Sequence, residues 1–88
     1  GSVETVTLME GRLTIRRREG RRREEASYDP FWAKVYWEGP KLLIGHRRSS
    51  IEIGRFLAPE EREDLAQSLG AVLRRYREPV FDNPQLRE

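Results

Sequence analysis

Short runs in which apolar and polar residues alternate occupy the first two-thirds of the chain, and pairs containing Gly or Pro separate many of them. Alternation with a period of two is typical of strands that bury one face. Turns about 8–12 residues apart favour an antiparallel meander. The runs predict strands at residues 4–9, 12–18, 31–38, 41–45 and 50–56, and residues 21–27 are expected to return as a very polar edge strand.

After residue 56 the pattern changes, and apolar residues recur every three or four positions. This spacing predicts a helix from Pro59 to about residue 77 that ends before Pro79. Pro fits the first helical position, and the acidic residues that follow it complement the helix dipole. Ala58 forgoes a side-chain cap and Gly70 weakens the helix interior, each at about 1 kcal/mol. The predicted apolar stripe is Leu65, Leu69, Val72, Leu73 and Tyr76.

Together these elements predict an α+β fold, in which one C-terminal helix covers the apolar face of an antiparallel β meander of five or six strands. The order of elements is similar to that of pleckstrin-homology-like domains, a likeness of shape that does not fix function. We assign residues 3–78 to a single domain. Residues 1–2 are interpreted as a tag remnant and residues 79–88 as a C-terminal tail.

The composition narrows the chemistry. Cysteine is absent and His46 is the only histidine, so we expect no disulfide, no metal site and no cofactor. We expect His46 to lie exposed in a turn. No nucleophile motif and no glycine-rich phosphate loop is present, so an enzyme is not expected. The longest apolar run falls well short of the ~20 residues that cross a bilayer, which predicts that this fragment is soluble.

Arginine is concentrated between residues 12 and 23, although the net charge of the chain is only +2. If Glu19 and Gly20 form a two-residue turn, arginines face each other across the hairpin, and like charges directly opposite destabilise a strand pair. An anionic partner would offset that cost, and the planar guanidinium group suits phosphate. The alternative is a solvated hairpin that prevents edge-to-edge aggregation. The candidate anion- or lipid-contact residues are Arg12, Arg16, Arg17, Arg18, Arg21, Arg22 and Arg23, with the expected pairs Arg18–Arg21, Arg17–Arg22 and Arg16–Arg23.

Aromatic residues cluster between residues 28 and 37. In a strand spanning residues 31–38, Trp32 and Tyr36 share a face with Lys34, and we expect that face to be partly exposed. Trp32 and Tyr36 are therefore candidate partner-contact residues. Packing in the core and stacking on single-stranded bases remain alternatives.

Several segments resemble one known family. They are Asp29-Pro30-Phe31-Trp32, the run from Ile51 to Leu57, Pro59-Glu60-Glu61-Arg62, and the helix from Leu65 to Leu73. Together they resemble an uncharacterised bacterial family of predicted integral membrane proteins, the domain-of-unknown-function family numbered twenty-two forty-four. The chain departs from the expected pattern at Ala58, which replaces a polar cap, and in the arginine-rich residues 8–25.

The resemblance implies that the full-length protein has two membrane helices followed by a soluble C-terminal domain, which this chain would represent. It implies a bacterial inner-membrane protein, and an arginine-rich domain beside membrane helices fits the cytoplasmic side. The family has no established activity, so no catalytic residue can be carried over.

We therefore expect a non-catalytic module that contacts an anionic membrane surface or an unidentified membrane-associated protein, with no small-molecule substrate. The alternative is a nucleic-acid-binding module that uses the arginine-rich hairpin.

Overall fold

The structure, a computed structural model, describes residues 1–79. Within them the predicted α+β fold is confirmed: six strands form antiparallel pairs and one helix follows. The strands belong to two three-stranded sheets with the orders β1-β2-β3 and β4-β5-β6, rather than to one sheet. The elements are β1 (Ser2–Met9), β2 (Arg12–Glu19), β3 (Arg22–Tyr28), β4 (Lys34–Glu38), β5 (Lys41–His46), β6 (Ser49–Ile53) and α1 (Pro59–Arg77).

The hairpin between β2 and β3 turns at Gly20 and Arg21, one position later than predicted. Gly20 has a φ of 59°, a conformation that glycine adopts without steric cost. The predicted arginine pairs are therefore wrong. The pairs observed are Glu19 with Arg22, Arg18 with Arg23, Arg17 with Glu24, and Arg16 with Glu25.

The strand predicted from residue 31 begins only at Lys34, because the chain first makes a tight turn. The carbonyl oxygen of Asp29 accepts hydrogen bonds from the amides of Trp32 and Ala33, each at 3.1 Å. The Asp29 carboxylate accepts a third from the Phe31 amide at 3.0 Å. Phe31 and Trp32 are therefore turn residues, and both are exposed.

The last strand also ends earlier than predicted, at Ile53, because Gly54 begins the elbow that leads to the helix. Gly54 has a φ of 67°, and its carbonyl oxygen accepts a hydrogen bond from the Leu57 amide at 3.1 Å. The Arg62 side chain then holds the elbow from the helix side. It donates to the carbonyl oxygens of Gly54 at 3.0 Å and Leu57 at 2.8 Å.

The core lies where the inner faces of both sheets and the helix meet. The first sheet contributes Leu13, Ile15 and Tyr28, the second contributes Leu42, Ile44 and Ile53, and the helix contributes Leu73. Of the predicted helical stripe, Leu65 and Leu69 are half-buried, whereas Val72 and Tyr76 are exposed. The helix therefore buries fewer apolar residues than the sequence pattern predicts.

The helix spans Pro59–Arg77, as predicted. Ala58 offers no side-chain cap, and the Glu61 carboxylate instead accepts a hydrogen bond from the Ala58 amide at 3.1 Å. At the other end Arg77 donates to the Ala33 carbonyl oxygen at 3.0 Å, which joins the helix to the start of β4. Ser2 is already part of β1, opposite Glu19. Apart from Pro79, the predicted tail of residues 79–88 lies outside the described residues.

Candidate anion-binding surface

Alternation along the three strands of the first sheet sorts the arginines onto different faces. Arg12, Arg16 and Arg18 alternate with the buried Leu13 and Ile15 and therefore point away from the core. Their partners on the neighbouring strands point the same way. We call this surface the arginine face. It consists of Val3, Thr5, Thr7, Met9, Arg12, Thr14, Arg16, Arg18, Arg23, Glu25 and Ser27.

Cations dominate the arginine face. Its arginines Arg12, Arg16, Arg18 and Arg23 are all exposed, and Glu25 is its only carboxylate. Its remaining side chains are hydroxyl-bearing or apolar, and Met9 is 64% exposed. Arg21 occupies the adjoining turn and is also exposed. The surface therefore presents a high local positive charge, although the net charge of the whole chain is only +2.

Arg17 is not part of this surface, although it was a candidate anion contact. Its side chain is only 6% exposed and points inward, in one row with Glu4 and Glu24 on the neighbouring strands. Its guanidinium group forms salt bridges of 3.1 Å with each of these two carboxylates. It also donates to the carbonyl oxygen of Glu52 in the second sheet. Its hydrogen-bonding capacity is thus largely used within the protein.

The partners of Arg17 were not identified from the sequence. Glu4 stands two positions before Val6, on the inner face of β1, and its carboxylate also accepts a hydrogen bond from the Gly54 amide at 2.8 Å. The available signal was that Glu4 falls on the apolar face of β1, directly opposite Arg17 on β2. Reading it requires the strand register, which the sequence alone left open.

The other carboxylates of the hairpin are also paired. Glu25 lies 3.1 Å from Arg16, on the arginine face. Glu19 lies 3.1 Å from Arg55, which belongs to the elbow before the helix. Arg22 is highly exposed, and its Nε atom lies 4.0 Å from the Glu24 carboxylate.

Arg16 and Arg17 each lie opposite a glutamate, whereas Arg18 and Arg23 lie directly opposite each other on β2 and β3. Among residues 1–79, neither forms a salt bridge with a carboxylate. An open groove crosses this part of the sheet, and Arg16, Arg18, Arg23 and Thr5 contribute to its lining.

The two candidate partner-contact residues, Trp32 and Tyr36, line a second groove together with Lys34 and Arg47. The Trp32 side chain is 66% exposed, and it packs edge-on against Phe31 with ring centroids 4.9 Å apart. The Tyr36 hydroxyl donates to the Ser50 hydroxyl at 2.6 Å. The structure thus brings these aromatic residues together with two cationic side chains.

His46 is not the exposed turn residue that the sequence suggested. It is the last residue of β5 and is half-buried, with its ring packed edge-on against Tyr28 at a centroid distance of 5.0 Å. Its Nε2 atom lies 3.3 Å from the carbonyl oxygen of Asp29. Across residues 1–79 the structure contains no group of three or more His, Cys, Asp or Glu side chains arranged to hold a metal ion.

Comparisons with known proteins give one match. A family model described as "Integral membrane protein (DUF2244)" matches residues 1–73, a span that includes the arginine-rich hairpin. No curated protein and no solved structure matches the chain. In the described part of the chain, no helix combines the length and the apolar character that crossing a membrane requires. Because the family model covers most of the sequence, the chain belongs to the DUF2244 family of integral membrane proteins.

Proposed function

We propose that this chain is a non-catalytic, membrane-proximal module whose arginine face lies against an anionic lipid surface. The observation that carries the proposal is the exposed set Arg12, Arg16, Arg18 and Arg23, which shares one sheet face with a single carboxylate. Membership of a family of integral membrane proteins supports the choice of a lipid surface, because a bilayer then lies close to the domain.

The expected binding free energy is adequate for such a contact. A basic residue close to an anionic membrane contributes about 1 kcal/mol, so the four arginines together would give a useful affinity. The attraction should fall within a Debye length of about 8–10 Å and weaken as salt is added. Met9 and Val3 are exposed on the same face and would contact the headgroup region alongside the arginines.

The proposal includes the setting of the domain. We infer a soluble C-terminal domain that follows membrane helices in a bacterial inner-membrane protein. The positive-inside tendency favours the cytoplasmic side for an arginine-rich domain near membrane helices. On that side the leaflet is also rich in anionic lipid, which is the surface that the arginine face requires.

The test is an NMR titration of the nitrogen-15-labelled domain with bicelles of anionic or neutral lipid, at low and at physiological salt. We expect amide shifts along β2 and β3 with anionic bicelles only, and we expect them to shrink as salt is added. Replacing Arg16, Arg18 and Arg23 with Gln should abolish the shifts. The matched control replaces the exposed Arg48, Arg74 and Arg75 with Gln, which removes the same charge elsewhere.

Equal effects of the two triple variants would show that only net charge matters and would overturn the proposed surface. An absence of shifts with anionic bicelles would overturn membrane contact. An unidentified membrane-associated protein would then become the expected partner of this module.

The second groove supports nucleic-acid binding as another candidate function. Aromatic rings beside cations can stack single-stranded bases while contacting phosphates. The exposed Trp32 and the half-buried Tyr36 line this groove together with the cations Lys34 and Arg47. Fluorescence anisotropy with short single-stranded RNA and DNA at two salt concentrations tests it. Salt-sensitive binding that Trp32→Ala removes would support this function, and an absence of binding would reject it.

A further inference from the structure

Arg18 and Arg23 form a pair of like charges, and no carboxylate within residues 1–79 forms a salt bridge with either of them. The same hairpin contains three carboxylates, but Glu25 pairs with Arg16, Glu24 with Arg17, and Glu19 with Arg55, each at 3.1 Å. In the β2–β3 ladder, the rungs Arg16–Glu25, Arg17–Glu24 and Glu19–Arg22 place opposite charges face to face, whereas the rung Arg18–Arg23 places like charges together.

The geometry of the ladder keeps these two side chains together. Directly opposite residues in an antiparallel pair have Cβ atoms about 5 Å apart, and like charges at that distance destabilise the pair. Both side chains are exposed and both contribute to the open groove of the arginine face. Two planar forks of N–H donors thus line one groove together with the hydroxyl-bearing Thr5. The carboxylates of Glu24 and Glu25 also line this groove, and each forms a salt bridge with another arginine, Arg17 or Arg16.

We propose that Arg18 and Arg23 together bind a terminal phosphate group, that is, a phosphomonoester. A phosphomonoester carries a charge of about −1.5 to −2 at pH 7, which matches two guanidinium groups. It also offers three terminal oxygens, enough for both forks to make bidentate contacts, whereas a phosphodiester offers only two. The phosphate would belong to a lipid headgroup or to a soluble molecule. The lipid source rests on the proposed function, and the soluble source does not.

The double variant Arg18→Lys with Arg23→Lys tests whether binding needs a specific phosphate site or only general electrostatic attraction. Lys keeps the positive charge but lacks the planar guanidinium group. The matched control, Arg12→Lys with Arg21→Lys, makes the same conservative change at exposed positions that do not line the groove. Amide spectra establish that both variants remain folded. Each protein is titrated with vesicles containing phosphatidic acid, with phosphatidylglycerol vesicles of equal zeta potential, and with glycerol 3-phosphate alone.

We expect the wild type to bind phosphatidic acid, a monoester, more tightly than phosphatidylglycerol, a diester. The Arg18/Arg23 variant should lose this preference and bind phosphatidic acid about tenfold more weakly, whereas the control variant should keep the preference. Binding to the monoester should also weaken below about pH 6, where the phosphate dianion takes up one proton and becomes a monoanion.

The outcomes show whether the phosphate site, the membrane surface or both proposals fail. Unchanged binding of both vesicle types by the Arg18/Arg23 variant would overturn the phosphate site and leave the membrane surface intact. Binding to neither vesicle, with glycerol 3-phosphate still shifting the amides of β2 and β3 in the wild type but not in the variant, would overturn the membrane proposal and support a soluble phosphomonoester. No response to any of the three ligands would overturn both.

Discussion

Arginines that look equivalent in the sequence have opposite roles in the structure. Arg16 and Arg17 are neighbours, but Arg16 forms an exposed pair with Glu25, whereas Arg17 is buried between Glu4, Glu24 and a carbonyl oxygen of the second sheet. Exposed ion pairs contribute little, while removing one member of a buried pair leaves an uncompensated charge. The face of the sheet on which an arginine lies, rather than its residue type, decides whether it stabilises the fold or is exposed to solvent.

This contrast gives a direct prediction. Arg17→Met preserves much of the side-chain length but should lower the free energy of unfolding by about 3 kcal/mol, because the Glu4 carboxylate stays largely buried without its cation. The control Arg16→Met should cost less than about 1 kcal/mol. Urea denaturation followed by tryptophan fluorescence measures both values. Equal losses in the two variants would contradict the role assigned to Arg17.

A second residue-level prediction concerns the like-charge pair. Arg23→Thr should raise the free energy of unfolding by up to about 1 kcal/mol, because it removes the repulsion that Arg18 experiences across the ladder. Arg16→Thr, the same change on the same face, instead removes a salt bridge and should be neutral or slightly destabilising. Thermal unfolding of both variants checks the sign. A destabilised Arg23→Thr protein would show that the pair costs the fold nothing.

At the scale of elements, the helix was predicted more accurately than the strands. Pro59, the acidic first turn and Pro79 fixed its ends, and these signals depend only on local chemistry. The sequence contains no comparable local signal for the strand register of the arginine-rich hairpin. A hairpin with little apolar alternation can shift by one residue without exposing buried apolar side chains. The candidate arginines could therefore be named from the sequence, but the inward orientation of Arg17 and the Arg18–Arg23 pair could not be predicted.

Gly70 tests the energetics of the helix. Within residues 1–79, a Cβ atom at this position would meet only the end of the Arg74 side chain, at 3.9 Å, so no backbone in this part of the chain requires glycine there. Gly70→Ala should therefore stabilise the protein by about 0.5–1 kcal/mol, the usual difference in helix propensity.

Gly45 in β5 is the matched contrast for the same substitution. A Cβ atom there would lie 2.6 Å from the Ser49 carbonyl oxygen, and the residue has a φ of 143°. Gly45→Ala should therefore be strongly destabilising. Thermal melts followed by circular dichroism compare the two variants, and a lower melting temperature for Gly70→Ala would show that the helix needs glycine for another reason.

For the whole molecule, the inner row of charges joins parts that are distant in the sequence. Glu4 in β1 accepts a hydrogen bond from Gly54 in the elbow, and Arg17 in β2 donates to the Glu52 carbonyl oxygen in β6. The same arrangement leaves the arginine face out of the core. Substitutions on that face should consequently alter binding with little effect on the packing of the two sheets.

Hydrogen exchange can test this connection. Glu4→Gln leaves a neutral side chain of the same shape, which should weaken both the salt bridge to Arg17 and the hydrogen bond from the Gly54 amide. We expect faster exchange at Gly54, while Ile44, in the centre of the second sheet, stays protected. Unchanged exchange at Gly54 would show that the elbow does not depend on Glu4.

The buried Arg17 also constrains how this sequence can vary. Its donation to a backbone carbonyl oxygen requires a cation or other donor in β2, since an acid at that position would face the Glu52 oxygen. Exchanging the two charges, with Arg at position 4 and Glu at position 17, would therefore not restore the network. In related sequences that share this fold, positions 4 and 17 should change together, from a Glu and an Arg to two apolar residues, and not to the reversed pair.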